Sequence, residues 1–412
     1  MLSREENELL TRIEGDAPMG RLMRENYWIP FALSSHLVHG DAPMQVRLLG
    51  ESYIAFRAAD GRVGLFDELC PHRRASLALG RVEGNGVRCI YHGWKIDVGG
   101  CVVEAPTQLV RPEQFAARVR VIHFPVREAG GVAWVWLGGT EAPAFPELPF
   151  AREDVCSYWC VSRVPCNWLQ GIEGTLDSAH VGVLHQTWLR ETAKVEGYGN
   201  INLALDLPPS YATEAAPHGM RAAALRRTSD GRIYARVSEY FMPLVTVVPV
   251  GRGRPRDGSM FVIAPVDDTH HLLFYGYFAD TPVKPPEELG GAASDFVPDP
   301  HDYTGLRGDR SNRWGQDREL MKAGHFTGFG RTLLEEDVVV QTSMGPILDR
   351  TRENLSTSDV AVVQARRMLL EALRAARAGE RPPGSALAGE AVRMPNAVEA
   401  VLDEGVRWEA TT

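Results

Sequence analysis

The chain has 412 residues, more than one compact core usually accommodates, so two domains are expected. Its 44 basic and 53 acidic residues give a formal net charge of −9, which argues against nucleic acid or an anionic membrane surface as the main partner. The longest apolar stretches are about half of a membrane-spanning helix and the N-terminus lacks a signal-peptide pattern, so we expect a cytoplasmic protein without membrane contact.

The sequence pattern changes twice within the first 150 residues of the chain. Residues 1–26 open with acidic side chains and are predicted to be helical. From residue 27 to about 140, short runs rich in Val, Ile, Phe and Trp alternate with turns such as Asp60-Gly61, which predicts a small antiparallel β domain. A Pro-rich connector at 142–149 then marks a domain boundary.

The second domain is expected over residues 150–412 and mixes strands with helices. The fold class predicted for the whole chain is therefore α+β, with an N-terminal antiparallel β domain followed by an α+β domain built on an antiparallel sheet. Several Pro and Gly residues between 282 and 300 predict a surface loop. The predicted strands are 232–250 and 270–278, and the predicted helices are 168 to about 185, 332–342 and 359–378.

Two short motifs in the first domain each carry one cysteine and one histidine. Cys70-Pro-His72 and Cys89-Ile-Tyr-His92 are separated by sixteen residues. In a Rieske [2Fe-2S] cluster two thiolates hold one iron and two imidazoles hold the other, so each loop must supply one ligand to each metal. A structural zinc site is the alternative, but zinc fingers pair like ligands within each short motif, and neither motif does so. We therefore predict that these four residues hold a Rieske cluster.

A second histidine motif lies in the other domain, on a predicted helix. His180 and His185 are five residues apart and lie about 140° apart around an ideal helix, so they face one metal only if the helix is distorted. Gly182 between them favours a π-bulge or a broken turn. Asp177 is better placed to accept a bond from a ligand imidazole than to bind the metal with both histidines. Two histidines and a carboxylate are typical of non-haem Fe(II) sites that activate O2.

The carboxylate ligand has to come from elsewhere in the chain. The most suggestive downstream segment is 335–349, which begins with Glu335, Glu336 and Asp337. Three consecutive acids at the start of an apolar helical run could simply favour the helix N-terminus through the macrodipole. From the residues alone, both interpretations stay open.

Taken together, these motifs give the chain a clear family resemblance. It resembles the oxygenase (large, alpha) subunit of Rieske non-haem iron ring-hydroxylating oxygenases, and is most similar to the phthalate 4,5-dioxygenase-like branch. The resemblance covers nearly the whole chain and includes Asn-Trp-Leu-Gln-Gly-Ile-Glu-Gly at 167–174 and Ser-Met-Gly-Pro-Ile-Leu-Asp-Arg-Thr at 343–351.

The resemblance implies roles for particular residues. The iron ligands are expected to be His180, His185 and Asp337, with Asp177 as the acid that links a cluster histidine of one subunit to an iron histidine of the next. One position departs from the family, because Arg74 stands where the first cluster loop usually has glycine. We expect either an ordinary backbone angle there or modest local strain.

The resemblance also implies partners and a reaction. A homotrimer, single or stacked, is expected, because the cluster of one subunit serves the iron of its neighbour. Electrons would come from a separate NAD(P)H-dependent flavin and ferredoxin-type reductase, since no G-x-G-x-x-G motif opens a helix after a strand. The expected reaction is cis-dihydroxylation with O2, and the alternative is a monooxygenase or O-demethylase on the same scaffold. A Rieske electron carrier is disfavoured, because it would not need a second domain with a metal motif.

The substrate class implied by the branch is an aromatic acid of the benzoate, phthalate or phenoxybenzoate type. A carboxylate favours an arginine fork, and Arg236 is the preferred candidate, with Ser178 as a hydrogen-bond donor. Arg236 could instead be a solvated strand residue or an ion-pair partner of Glu239. Phthalate would require a second cation, and residues 203–210 contain none, so the sequence favours a larger monocarboxylate.

Overall fold

Two helices open the chain, as the sequence predicts. They are α1 (Arg4–Thr11) and α2 (Pro18–Asn26). Ser3 caps α1, because its hydroxyl accepts from the Glu6 backbone N–H while the Glu6 carboxylate accepts from the Ser3 N–H. The computed structural model describes residues 2–139, 141–254, 256–283, 299–385 and 394–411.

The N-terminal domain is a small antiparallel β structure. Its strands are β1 (Ile29–Leu33), β2 (Met44–Leu48), β3 (Glu51–Arg57), β4 (Val63–Asp67), β5 (Arg81–Glu83), β6 (Gly86–Arg88), β7 (Lys95–Asp97), β8 (Val102–Glu104), β9 (Val126–Ala129) and β10 (Val132–Val135). They form three sheets in the orders β1-β10-β9, β2-β3-β4 and β5-β6-β7-β8, and α3 (Pro112–Ala116) follows β8. The predicted turn at Asp60-Gly61 connects β3 to β4, with Gly61 at φ +88°.

The second domain is built on one antiparallel sheet. Its strands are β11 (Cys156–Val164), β12 (Pro209–Ala216), β13 (Gly219–Arg227), β14 (Ile233–Phe241), β15 (Val245–Val248), β16 (Gly258–Asp267), β17 (His270–Ala279) and β18 (Val398–Leu402). The order is β11-β17-β16-β15-β14-β13-β12, and β18 joins at β14. One side of β14 pairs with β13 along its whole length, and the other side pairs with β18 in its first half and with β15 in its last residues.

Several helices belong to the same domain, and some of them pack on the sheet. They are α4 (Trp168–Leu176), α5 (Gln186–Thr192), α6 (Asn200–Asp206), α7 (Arg318–Lys322), α8 (Leu333–Ser343) and α9 (Val360–Arg377). Helix α4 packs on β15, β16 and β17, while α9 packs on β12 and β13 and also contacts α1 and α2. Among the described residues, no helix combines the length and the apolar character that crossing a membrane requires.

The α+β prediction is confirmed, and most predicted elements are found near their expected bounds. The predicted helices at 332–342 and 359–378 are α8 and α9, and the strand at 270–278 is β17. The predicted strand at 232–250 is two strands, β14 and β15, separated by a turn. Most of the predicted loop at 282–300 lies outside the described residues.

A buried network of charges holds α4 against the rest of the domain. Glu173 accepts from Arg350 at 2.8 Å and from Arg366 at 2.6 Å, and Arg366 also pairs with Glu353. Arg350 reaches Asn7 in α1 at 3.2 Å. Although burial alone would raise the pKa of Glu173, the two arginines bring it below its usual value. The network therefore fixes the helix that leads into the second histidine motif.

Candidate metal centres and substrate cavity

The two cysteine loops of the N-terminal domain are built alike. In each, the backbone N–H four residues after the cysteine donates to the cysteine carbonyl, Arg74 to Cys70 and Gly93 to Cys89, both at 3.0 Å. The loops follow β4 and β6, which belong to two different sheets of the domain. The rings of His72 and His92 then lie with their centroids 4.5 Å apart.

The donor set in these loops fits a Rieske cluster. Both thiols are buried, whereas both imidazoles are half-buried at the surface. Burial raises the pKa of the Cys70 thiol to about 11, and the adjacent Cys89 contributes to the rise. Nδ1 of His72 is buried without a hydrogen-bond partner in the described part of the chain, and the ring stacks on Trp94 at 4.4 Å. A buried orphan nitrogen beside two thiols matches the mixed thiolate and imidazole ligation of such a cluster.

Arg74 adopts the left-handed conformation that glycine usually provides. Its φ is +61°, close to the +72° of Gly93 at the equivalent place in the other loop. Of the two alternatives from the sequence, the ordinary backbone angle is therefore wrong and local strain is present. A side chain in this region costs about 1–2 kcal/mol, because Cβ approaches the following carbonyl oxygen.

The second histidine motif lies where a helix is broken. Helix α4 ends at Leu176, Asp177 follows as its C-terminal cap, and a separate 3₁₀ turn spans His180–Gly182 before α5. The predicted distortion is therefore confirmed as a broken helix, but the helix ends at Leu176 and not near 185, so the break begins before His180 and not at Gly182. The physical reason is local, since the Asp177 side chain accepts from the Ala179 N–H at 2.7 Å and so competes with the helical hydrogen bonds.

The break brings two histidines and an aspartate into one small space. The ring centroids of His180 and His185 are 5.1 Å apart. Oδ1 of Asp337 on α8 lies 3.5 Å from Nε2 of His180 and 3.1 Å from Nε2 of His185. One ligand atom from each of the three residues lies within 4.8 Å of the other two. This donor set fits a divalent iron with coordination positions left open.

The three consecutive acids of α8 have three different partners. Glu335 binds Arg331 at 2.7 Å. Glu336 is fully buried, and one of its oxygens lies 2.7 Å from Nδ1 of His185 while the other accepts from the Thr327 hydroxyl. Asp337 faces the two histidines. A favourable interaction of these acids with the helix N-terminus therefore explains at most part of this segment.

Carboxylates flank both histidines of the site. Oδ2 of Asp177 lies 3.3 Å from Nδ1 of His180, as the sequence predicts, and Glu336 makes the corresponding contact to His185. Burial opposes a charge on His185, but Asp337 and Glu336 raise its pKa to about 10. Burial raises the pKa of Glu336. A metal must therefore displace a proton from His185 to bind.

A cavity of about 190 Å³ opens beside the three residues. An apolar cavity of roughly 150 Å³ holds benzene, so this volume admits one substituted aromatic ring. Both predicted substrate residues, Ser178 and Arg236, line it. Arg236 donates to the Pro249 carbonyl at 2.7 Å, whereas Glu239 binds Arg221 at 3.1 Å. The alternative of an Arg236–Glu239 ion pair is therefore wrong.

Two residues of the cavity were missed by sequence reasoning. Gln341 lies one helical turn after Asp337 and is buried, and Gly174 leaves room for its amide, since a Cβ there would approach Nε2 to 2.6 Å. The four-residue spacing from Asp337 is the signal that could have found it. Arg226 on β13 is also buried in the cavity wall. Only the register of β13 and β14 shows that it shares a face with Arg236.

Fold and site together define a two-centre iron oxygenase subunit, with cluster loops in a small β domain and a two-histidine, one-carboxylate site in a larger one. The Rieske [2Fe-2S] domain family matches residues 27–116, and the family described as LigXa C-terminal domain like matches residues 135–412. The chain belongs to this family of Rieske oxygenase subunits, which carry the [2Fe-2S] cluster and a mononuclear iron.

Curated relatives extend over nearly the whole chain. The chain is 38% identical to the phthalate 4,5-dioxygenase oxygenase subunit of Pseudomonas putida, over 99% of this chain and 94% of that one. It is 35% identical to the 3-chlorobenzoate-3,4-dioxygenase oxygenase subunit of Comamonas testosteroni, over 92% and 90%. It is 30% identical to the 5,5'-dehydrodivanillate O-demethylase oxygenase subunit of Sphingobium, over 93% and 83%.

Solved structures share the fold at lower identity. Pseudomonas putida CBB5 NdmA with caffeine superposes with a TM-score of 0.62, covering 95% of this chain and 100% of that one at 18% identity. Dicamba monooxygenase bound to dicamba superposes with a TM-score of 0.60, covering 87% and 99% at 18% identity. At this identity the similarity concerns the fold alone.

Proposed function

We propose that the protein is the terminal oxygenase component of a multicomponent system that hydroxylates an aromatic acid with O2. Electrons would come from a separate NAD(P)H-dependent flavin and ferredoxin-type reductase. The observation that supports this most directly is the shared cavity of His180, His185 and Asp337 with the guanidinium of Arg236. A basic group on the wall of a ring-sized cavity suits a carboxylate on an aromatic substrate.

Separate sets of residues would bind the cluster, the iron and the substrate. Cys70, His72, Cys89 and His92 would hold the [2Fe-2S] cluster, and His180, His185 and Asp337 would hold the iron, which supplies the activation of O2 when reduced. Arg236 and Ser178 would orient the substrate carboxylate. The apolar side chains of the cavity would keep water from the ring, among them Val181, Leu189, Phe261 and Leu273.

We further propose a head-to-tail homotrimer, single or stacked. Large apolar side chains are exposed near each centre, including Tyr91 and Ile90 in the cluster loop and Val183 in the histidine motif. Asp177 is 27% exposed while it binds His180, so its carboxylate is accessible to a histidine of a second copy. Light scattering should give a multiple of three chains, and Val183→Glu should shift the protein towards monomer.

The oxygenase proposal has a direct test. Holoenzyme and a surrogate reductase are supplied with substituted benzoates under 18O2, and oxygen uptake and product mass are recorded. Two labelled oxygens in a dihydrodiol support cis-dihydroxylation, which is our proposal. One labelled oxygen, or loss of an O-alkyl group, supports the monooxygenase or O-demethylase alternative. A cytoplasmic location remains a prediction from the sequence.

A further inference from the structure

Three pairs of histidines in the described part of the chain bring their imidazole rings close together. The cluster loops hold one pair, with ring centroids 4.5 Å apart, and the iron site holds another, with centroids 5.1 Å apart. The third pair is His36 and His301, whose ring centroids lie 4.4 Å apart. This pair has no part in either centre, although its spacing is the same as that of the two sets of metal ligands.

His36 and His301 come from different domains. His36 ends the 3₁₀ turn Ser34–His36 that follows β1, whereas His301 lies between β17 and α7 in the second domain. Their rings meet edge to face, with an angle of 61° between the ring planes. Both line a cleft of about 460 Å³ that β1 and β2 form together with β11 and β17. A hydrated ion therefore has an open route to both imidazoles.

The ring nitrogens of this pair are available to a ligand. His36 is half-buried, and His301 is exposed. Among the described residues, neither ring has a hydrogen-bond partner, and the recorded contact of His301 is made by its backbone N–H, which donates to Asp299 at 2.7 Å. Neutral imidazole is one of the commonest metal ligands in proteins, and two of them on one side of a cleft can share an ion.

The charges around the pair favour a cation. Asp299 and Asp302 flank His301, and they offset the charge of Arg163, which lines the same cleft. Burial and the nearby His301 lower the pKa of His36, while Asp299 opposes that shift. At neutral pH the His36 ring is therefore uncharged, which is the form that binds a metal.

We propose that His36 and His301 bind a divalent transition-metal ion of the Zn2+, Cu2+ or Ni2+ type, which links the two domains. Within the described ranges no carboxylate completes a three-residue group with them, so water fills the remaining coordination positions. Imidazole ligands favour these ions over Mg2+ and Ca2+, which prefer oxygen ligands. The site is separate from the cluster loops and from the iron site, and it does not depend on the proposed function.

The alternative is that the two rings pack against each other only for stability. Edge-to-face packing of aromatic rings is favourable without any metal. A phenyl ring keeps this contact but cannot bind an ion, so His36→Phe and His301→Phe separate the two roles. Because position 301 is exposed, the second variant is expected to fold normally.

The first experiment counts metals in the wild-type holoenzyme. The protein is dialysed against buffered Zn2+, and zinc and iron per chain are measured by elemental mass spectrometry. We expect one zinc per chain to be taken up without loss of iron. Wild-type protein that takes up no zinc, or takes it up only as iron is lost, would overturn the proposal whatever the variants do.

The second experiment assigns the zinc to the pair. In His36→Phe and in His301→Phe, zinc binding should weaken by at least roughly 10-fold, because the loss of a ligand costs no less than the loss of a group that only orients one. His39→Phe is the matched control, since His39 is an exposed histidine close to His36 in the same segment. It should bind zinc as the wild type does. Unchanged zinc binding in both pair variants would overturn the proposal.

Thermal melting gives a readout that does not depend on counting. An ion that binds only the folded protein raises its Tm, so Zn2+ should raise the Tm of the wild type and of His39→Phe but not that of His301→Phe. An equal rise in His301→Phe would place the ion elsewhere and overturn the proposal. Melts without zinc identify a variant that fails to fold, and the wild-type zinc count then decides.

Discussion

Nδ1 of His185 lies 2.7 Å from Oε2 of Glu336, at a carboxylate that has no exposure to solvent. The contact fixes the ring of His185 so that its Nε2 faces Asp337 and the cavity. The corresponding contact of His180 is longer, 3.3 Å, and its carboxylate, Asp177, is partly exposed. A buried carboxylate thus orients His185, whereas a partly exposed carboxylate orients His180.

Glu336→Gln should weaken metal binding at this site. The amide keeps the size of the side chain but removes the charge that orients His185 and makes its Nε2 a better ligand, and such losses lower metal affinity about 10–100-fold. Competition titration with Co2+ measures the affinity, while the content of [2Fe-2S] should not change. Glu319→Gln, at an exposed ion pair in α7, is the matched control. An unchanged Co2+ affinity in Glu336→Gln would contradict the role assigned to the contact.

Asp177→Asn should retain both metal centres but abolish turnover. The amide keeps the hydrogen bond that ends α4, so both metal centres should be retained. If the Asp177 carboxylate links the two centres across subunits, substrate-dependent oxygen uptake should fall to background. Iron analysis and oxygen electrode measurements on the same preparation check both parts. Normal uptake with full iron content would exclude the linking role.

Arg74→Gly should stabilise the protein. Glycine adopts a φ of +61° without the steric cost that arginine incurs, so the free energy of unfolding should rise by about 1 kcal/mol. Arg73→Gly is a close control, because Arg73 is also exposed but has no left-handed backbone. It should be neutral or slightly destabilising in the same thermal melts. A loss of stability in Arg74→Gly would show that the arginine makes a compensating contact.

His271 should make stability depend on pH in mildly acidic solution. It is fully buried, its ring lies 2.9 Å from the Cys166 carbonyl, and burial lowers its pKa to about 4. The unfolded chain takes up a proton at its ordinary pKa near 6.5, whereas the folded protein does not. This contribution is therefore complete above pH 6.5 and is lost as the pH falls towards 4, by roughly 3 kcal/mol.

A comparison with His271→Asn isolates that contribution. The asparagine amide can still donate to the Cys166 carbonyl but does not titrate. Denaturant melts between pH 7 and pH 4.5 should show a smaller decline in the free energy of unfolding for the variant than for the wild type. Parallel declines would mean that other groups account for the pH dependence.

Both metal motifs could be recognised from the sequence because their cysteine and histidine ligands lie close together in the chain, whereas the distant ligand Asp337 was implied only by the family resemblance. The cluster loops and the pair His180 and His185 each depend on local spacing, and the sheet and helices follow from local patterns. A break in the helix was expected near Gly182, but its actual position at Asp177 was missed because the Asp177 side chain competes with backbone hydrogen bonds. Arg226 was missed as a cavity residue because its place in the cavity wall depends on the pairing register of β13 and β14. The neighbouring residues in the sequence do not determine that register.

Strand β18 is the last of the described strands, and it pairs with the part of β14 that carries Arg236 and Tyr234. The wall of the cavity therefore cannot assume its final form during synthesis until residues 398–402 have left the ribosome. A nascent chain can fold its cluster domain early, but the wall that faces a substrate is completed only after β18 has been synthesised.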